Sequence, residues 1–164
     1  MRGSAFRVST AVVGLIAAAA VAGCGGSSSS TSSSADFVAQ GNAICKKSNA
    51  QIAALPQPKS NAELTTYLNQ ASPIIQSALD QVNGLTPPGD KQKAFDTWVG
   101  TITNEADLVA EAQSAAADGN SSQAISLLNK QGTLSKQGNA QAAALGLTQC
   151  AKSASDQGSS GSSG

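Results

Sequence analysis

The most regular pattern in the chain is a helical repeat of apolar positions that recurs in four segments of its central part. In each segment, apolar or small residues are separated by three or four positions, so they fall on one face of a helix. None of these segments shows the sustained alternation of apolar and polar residues that is typical of a strand. The pattern therefore predicts four helices, over residues 36–55, 60–85, 90–118 and 121–145.

Residues that favour helix ends lie at the borders of these segments. Asp36 is the predicted N-cap of the first helix, and Ser60 begins a capping-box pattern at the second. Gly119 is expected to end the third helix, where a left-handed residue is common. Pro73 falls inside the second segment, so this helix either kinks there or restarts with Ser72 as its N-cap.

The connections between the four segments are short, which favours antiparallel neighbours. The sequence thus predicts an all-α domain over residues 36–150, folded as an up-down-up-down four-helix bundle. Its core should consist mostly of alanine, leucine and isoleucine. Because such a core is shallow, we expect its stability to depend on additional constraints.

The N-terminal residues have the pattern of an export signal: the first seven contain Arg2 and Arg7 and no acidic residue, and residues 8–22 are almost wholly apolar. This run is shorter than the ~20 residues that a membrane-spanning helix needs. It ends in the sequence Val-Ala-Gly-Cys, with the cysteine at position 24. Here the chain resembles bacterial lipoproteins, whose lipobox is an apolar residue, two small residues and a cysteine.

The resemblance implies that residues 1–23 are a signal peptide and that Cys24 receives a diacylglyceryl group. The alternative is an ordinary signal peptide that is cut nearby, with Cys24 incidental. In the lipoprotein interpretation, residues 24–35 are the lipidated cysteine and a Gly/Ser tether. Residues 151–164 are a second Ser/Gly segment, the tail, and both segments are expected to be disordered. We therefore expect a domain held by the lipid on Cys24 at the extracytoplasmic face of the bacterial cell membrane.

Assigning Cys24 to the lipid leaves two cysteines, Cys45 and Cys150. An exported protein can form disulfides, and one pair allows a single connectivity, so we predict a Cys45–Cys150 bridge. It would close a loop of about a hundred residues and stabilise the fold by roughly 4–5 kcal/mol. The alternative is a pair of buried free thiols.

Composition excludes several classes of function. The chain has no histidine, which rules out Ser–His–Asp and Cys–His mechanisms and the usual His-containing zinc and iron sites. Both arginines precede Cys24 and the lysines form no basic patch, which argues against a nucleic-acid partner. We find no catalytic residues, metal site or cofactor motif, so we expect the protein not to be an enzyme.

Two pairs of residues allow a functional interpretation beside a structural one. Asp107 and Glu111 lie four positions apart and could share a cation, but a solvated acidic face is the preferred interpretation. Tyr67 and Trp98, each the only residue of its kind, could lie at the mouth of an apolar pocket between helices. Packing in the core or at its rim is the preferred interpretation of this pair.

Several short motifs in order along residues 36–150 are similar to those of small exported lipoproteins of actinobacteria. They are Phe37 with Asn42-Ala43-Ile44-Cys45, then Leu85-Thr86-Pro87-Pro88, Asp118-Gly119-Asn120, and Leu145-Gly146-Leu147-Thr148-Gln149-Cys150. The resemblance implies the bundle and the disulfide and adds no substrate. The function that we expect is a non-enzymatic interaction or structural module for an envelope protein or glycan. The alternative is a carrier for a small apolar or amphipathic ligand inside the bundle.

Overall fold

The computed structural model describes residues 33–152, and within this range it contains four α-helices and no strand. The predicted all-α four-helix bundle is confirmed. A single 3-10 turn at Gly89–Lys91 leads into the third helix. The expected signal peptide, Cys24 and the greater part of the expected tether and tail lie outside the described residues. The helices are α1 (Ser34–Ala53), α2 (Asn61–Asn83), α3 (Gln92–Ala117) and α4 (Ser121–Leu145).

The start of α1 differs from the expectation, because Ser33 and not Asp36 is its N-cap. The Ser33 hydroxyl oxygen accepts from the backbone N–H of Asp36 (3.1 Å), and the hydroxyl donates to the Asp36 carboxylate (2.7 Å). Asp36 lies instead in the first turn, where a negative charge interacts favourably with the helix dipole. The last residues assigned to the tether, 33–35, therefore belong to the helix and its cap.

The remaining helix ends agree more closely with the sequence. Ser60 caps α2 by accepting from the backbone N–H of Glu63 (3.3 Å), as the capping-box pattern predicts. Because α2 continues through Pro73, the alternative in which the helix restarts there is wrong. Gly119 has a φ of 78°, as expected for the residue that ends α3, and the side chain of Asn120 then caps α4.

The helices pack in chain order, with α3 against both α2 and α4 and with α1 against α2. By contrast, α1 and α4 hardly meet along their length. The buried apolar residues form two separate groups. The first core cluster joins the start of α1 and the end of α4 (Phe37, Val82, Phe95, Trp98, Ala142, Leu145, Leu147). The second core cluster lies at the opposite end of α2, α3 and α4 (Leu68, Val109, Ala112, Ala115, Ala116, Ala124, Leu127).

The C-terminal segment, residues 146–152, follows α4 and packs against α1. Gly146 adopts a φ of 85° and ends α4, and the backbone N–H of Leu147 donates back to the Ala142 carbonyl (2.9 Å). The Leu147 side chain is completely buried against Gly41, where an added Cβ would lie 2.6 Å from the Leu147 Cδ2 atom. This close contact explains why the apolar face of α1 includes a glycine.

Polar contacts and a covalent bond fix the same segment to α1. Cys45 and Cys150 form the predicted disulfide, with their Cα atoms 5.0 Å apart. The Asn42 carbonyl oxygen accepts from the backbone N–H of Gln149 (2.7 Å), and the Asn49 amide donates to the carbonyl of Lys152 (3.0 Å). The contacts of the domain thus include Ala151 and Lys152, the first two residues of the expected tail.

Candidate functional site: an open cleft in the bundle

An open cleft of about 780 Å³ lies between the two core clusters. All four helices and the C-terminal segment contribute to its walls, and most of the lining side chains are apolar or small. Its volume falls within the range of about 300–1,000 Å³ that is common for small-molecule sites. The apolar and small lining residues of the helices are Ile52, Ala53, Leu68, Ala71, Ile75, Ala78, Leu79, Val82, Trp98, Ile102, Ala106, Val109, Leu128 and Gly138.

The cleft forms where the apolar faces of the helices lack a partner. In α2, Leu68 and Val82 are buried, but Ile75 midway between them is only half-buried. In α3, Ile102 is likewise half-buried between the buried Trp98 and Val109. Because α1 and α4 hardly meet, the middle of the bundle is not closed, and these apolar side chains face the opening.

Glu105 is the one carboxylate among the residues that line the cleft. It is half-buried, and the Gln131 side-chain amide donates to its Oε2 atom (3.2 Å). Burial raises the pKa of the Glu105 carboxyl above the ordinary glutamate value, although hydrogen bonds from Gln131 and Ser135 oppose this effect. The described part of the site therefore holds one carboxyl, on the wall formed by α3 and α4, beside the polar side chains of Gln131 and Ser135.

Gly138 on α4 makes room for this carboxyl. It is buried, and a Cβ atom at this position would collide with the Glu105 Oε1 atom. A glycine inside a helix costs about 1 kcal/mol relative to alanine, so its presence here has a specific structural reason. The absence of a side chain at Gly138 allows the Glu105 carboxyl to lie against the α4 backbone.

The structure brings together several of the residues singled out in the sequence. Trp98 is only 2 % exposed and packs on Phe95, with ring centroids 5.9 Å apart. Trp98 and the half-buried Tyr67 both also line the cleft, so core packing and the pocket interpretation hold at once. The disulfide cysteines, Cys45 and Cys150, line it as well.

Asp107 and Glu111 do not take part in the cleft. Both are exposed on α3, as expected for a solvated acidic face. Among residues 33–152, no three His, Cys, Asp or Glu side chains come together in a group that could hold a metal ion.

The sequence reasoning missed Glu105 as a site residue, although a signal was present. Glu105 lies three positions after Ile102 and four before Val109, so it occupies a position on the apolar face of α3. A carboxylate at such a position requires either a polar partner or access to a water-filled space. The structure provides both, through Gln131 and the cleft.

None of the helices in the described part of the chain is long and apolar enough to span a bilayer. Comparison of the chain with protein-family models, with curated proteins and with solved structures finds no match.

Proposed function

We propose that this protein is a non-enzymatic binding lipoprotein of the bacterial envelope, held at the extracytoplasmic face of the membrane by a lipid on Cys24. Its helical domain binds a small amphipathic ligand in the cleft. The observation that carries this proposal is the cleft itself, an opening of about 780 Å³ with mostly apolar walls. An interior packed throughout would have favoured a purely structural module.

The two core clusters support this interpretation, because they keep the cleft open without help from a ligand. The first core cluster and the disulfide hold α1 at one end, and the second core cluster packs α2, α3 and α4 at the other. A site that is largely formed before binding loses less conformational entropy when the ligand enters. The half-buried isoleucines, Ile75 and Ile102, would then gain apolar contact with the ligand.

Native mass spectrometry of the full-length protein, released gently from its own membrane, tests the proposal. We expect a bound mass beyond that of the lipidated chain. The variant Ala78→Phe should remove it, because Ala78 is half-buried and lines the cleft. The matched control is Ala143→Phe, since Ala143 is exposed on α4 and does not line the cleft. No bound mass in the wild-type protein, or equal retention in both variants, would contradict a ligand in the cleft.

Membrane attachment is tested separately. Cys24→Ala should move the protein from the membrane fraction to the soluble fraction and remove the mass of the acyl chains, since acylation is the proposed anchor. A Cys24→Ala protein that remains membrane-bound would show that another part of the chain holds it there.

A further inference from the structure

Within residues 33–152, no positively charged side chain pairs with the Glu105 carboxyl. The interactions that act on it are burial and the hydrogen bonds from Gln131 and Ser135, which are neutral groups. The other charged residue that lines the cleft is Lys152, in the C-terminal segment, and its ammonium group is not among these interactions. In the described part of the chain, Glu105 is thus a half-buried acid whose hydrogen-bond partners are neutral, and a cation beside it would stabilise its charged form.

The position of Glu105 defines which part of a ligand would meet it. The carboxyl lies on the wall formed by α3 and α4, next to the polar side chains of Gln131 and Ser135. The wall formed by α1 and α2 presents Ile52, Ile75 and other apolar side chains, together with Ser48 and Asn49 of α1. The cleft therefore combines a carboxyl on the α3 and α4 wall, and Lys152 of the C-terminal segment, with a larger apolar surface.

We propose that the ligand is an amphipathic amine, whose ammonium group donates to the Glu105 carboxylate while its hydrocarbon part lies against the apolar walls. This inference rests on the proposed function, because it assumes that the cleft is a binding site. A carboxylate disfavours an anionic ligand by charge repulsion. It prefers an ammonium to a hydroxyl, because the positive charge adds a Coulomb attraction to the hydrogen bond, and this attraction is stronger in a partly buried site than in water. A dedicated metal ion would require further ligands, which no group of acidic or cysteine side chains in residues 33–152 supplies.

The test compares three probes that share one hydrocarbon chain: octylamine, octanol and octanoate. The full-length protein is reconstituted in phosphatidylcholine vesicles, and binding is followed by the fluorescence of Trp98, the only tryptophan in the chain, which lines the cleft. We expect saturable binding of octylamine, weaker binding of octanol and the weakest binding of octanoate. The amount of probe that partitions into the lipid is the same for all protein variants. It is measured with protein-free vesicles and subtracted.

Glu105→Gln isolates the contribution of the carboxylate. We expect it to weaken octylamine binding by about tenfold to hundredfold, the range of a hydrogen bond to a charged group, and to leave octanol binding unchanged. Glu111→Gln is the matched control, because it removes the same charge from an exposed position of the same helix. Circular dichroism of both variants verifies that the helices are retained.

The outcomes separate this inference from the proposed function. If octanol and octylamine bind equally well, or if Glu105→Gln does not change octylamine affinity, the amine is not the recognised group, although the cleft still binds apolar molecules. If none of the probes binds the wild-type protein, the proposed function fails together with the inference. Vesicles that contain phosphatidylethanolamine identify the source of the amine. If phosphatidylethanolamine competes with octylamine for the cleft, the natural ligand is a lipid headgroup. If it does not compete, the natural ligand is a free amine.

Discussion

Removal of the Cys45–Cys150 disulfide should cost this domain a large part of its stability. The bridge joins residues 105 positions apart, so it constrains nearly the whole described domain in the unfolded state. In the chain-entropy model, a loop of this length destabilises the unfolded chain by about 4.7 kcal/mol at 25 °C. The total free energy of unfolding of a small domain is about 5–15 kcal/mol. The double variant Cys45→Ala/Cys150→Ala is therefore expected to be marginally folded.

Urea unfolding followed by circular dichroism measures this effect. We expect the free energy of unfolding to fall by about 4–5 kcal/mol. The slope m should rise at the same time, because an unfolded chain without the bridge exposes more surface to urea. A control for lost native contacts is Asn49→Ala, which removes hydrogen bonds from α1 to the C-terminal segment but leaves the bridge intact.

The size of the loss distinguishes the possible explanations. A loss below about 2 kcal/mol with an unchanged slope would refute the chain-entropy argument for this protein. It would mean either that the unfolded chain without the bridge stays compact or that the bridge strains the folded state.

Three further predictions follow from individual contacts. Burial raises the pKa of the Glu105 carboxyl in the folded state. Glu105 therefore contributes stability below the ordinary glutamate pKa of about 4.3, and this contribution is lost as the pH rises through the folded-state pKa. Urea unfolding should show that Glu105→Gln is more stable than the wild type at pH 7 but not at pH 4. Gly41→Ala should destabilise the domain by about 1–3 kcal/mol, because the new methyl group would collide with the buried Leu147. Gly100 has open space around it, so Gly100→Ala should stabilise α3 by up to about 1 kcal/mol. Thermal unfolding of both variants tests this contrast. Asn42→Ala should cost about 1–2 kcal/mol through the loss of its hydrogen bonds to the C-terminal segment, and an unchanged melting temperature would count against that role.

The helices and the disulfide could be predicted from the sequence because both depend on local or exclusive patterns. A spacing of three and four residues marks the buried face of a helix wherever it later packs, and Phe37 and Leu68 are indeed among the most buried residues. The disulfide followed by elimination once Cys24 was assigned to a lipid. The cap of α1 was misplaced because Ser33 and Asp36 are both good N-caps, and sequence alone does not decide between them.

The sequence allows a pocket inside the bundle, but the position and size of the cleft could not be predicted, because both depend on a contact that is absent. The apolar face of α1 has the same spacing as the other faces, and nothing in that spacing reveals that α1 and α4 hardly meet. The pairing of Glu105 with Gly138 was hidden for a related reason. The sequence places Glu105 on the apolar face of α3, but only the packing of α3 on α4 brings its carboxyl beside Gly138.

The disulfide and the open cleft are connected through α1. Only Phe37 and Gly41 of this helix are buried, so α1 gains less from burial of its side chains than the helices that bury more residues. The bridge at Cys45 and the contacts of the C-terminal segment hold α1 near its middle. Its C-terminal half can then border the cleft at Ile52 without packing on α4. The covalent link therefore stabilises a domain in which apolar side chains such as Ile75 and Ile102 face an opening and contribute less through burial.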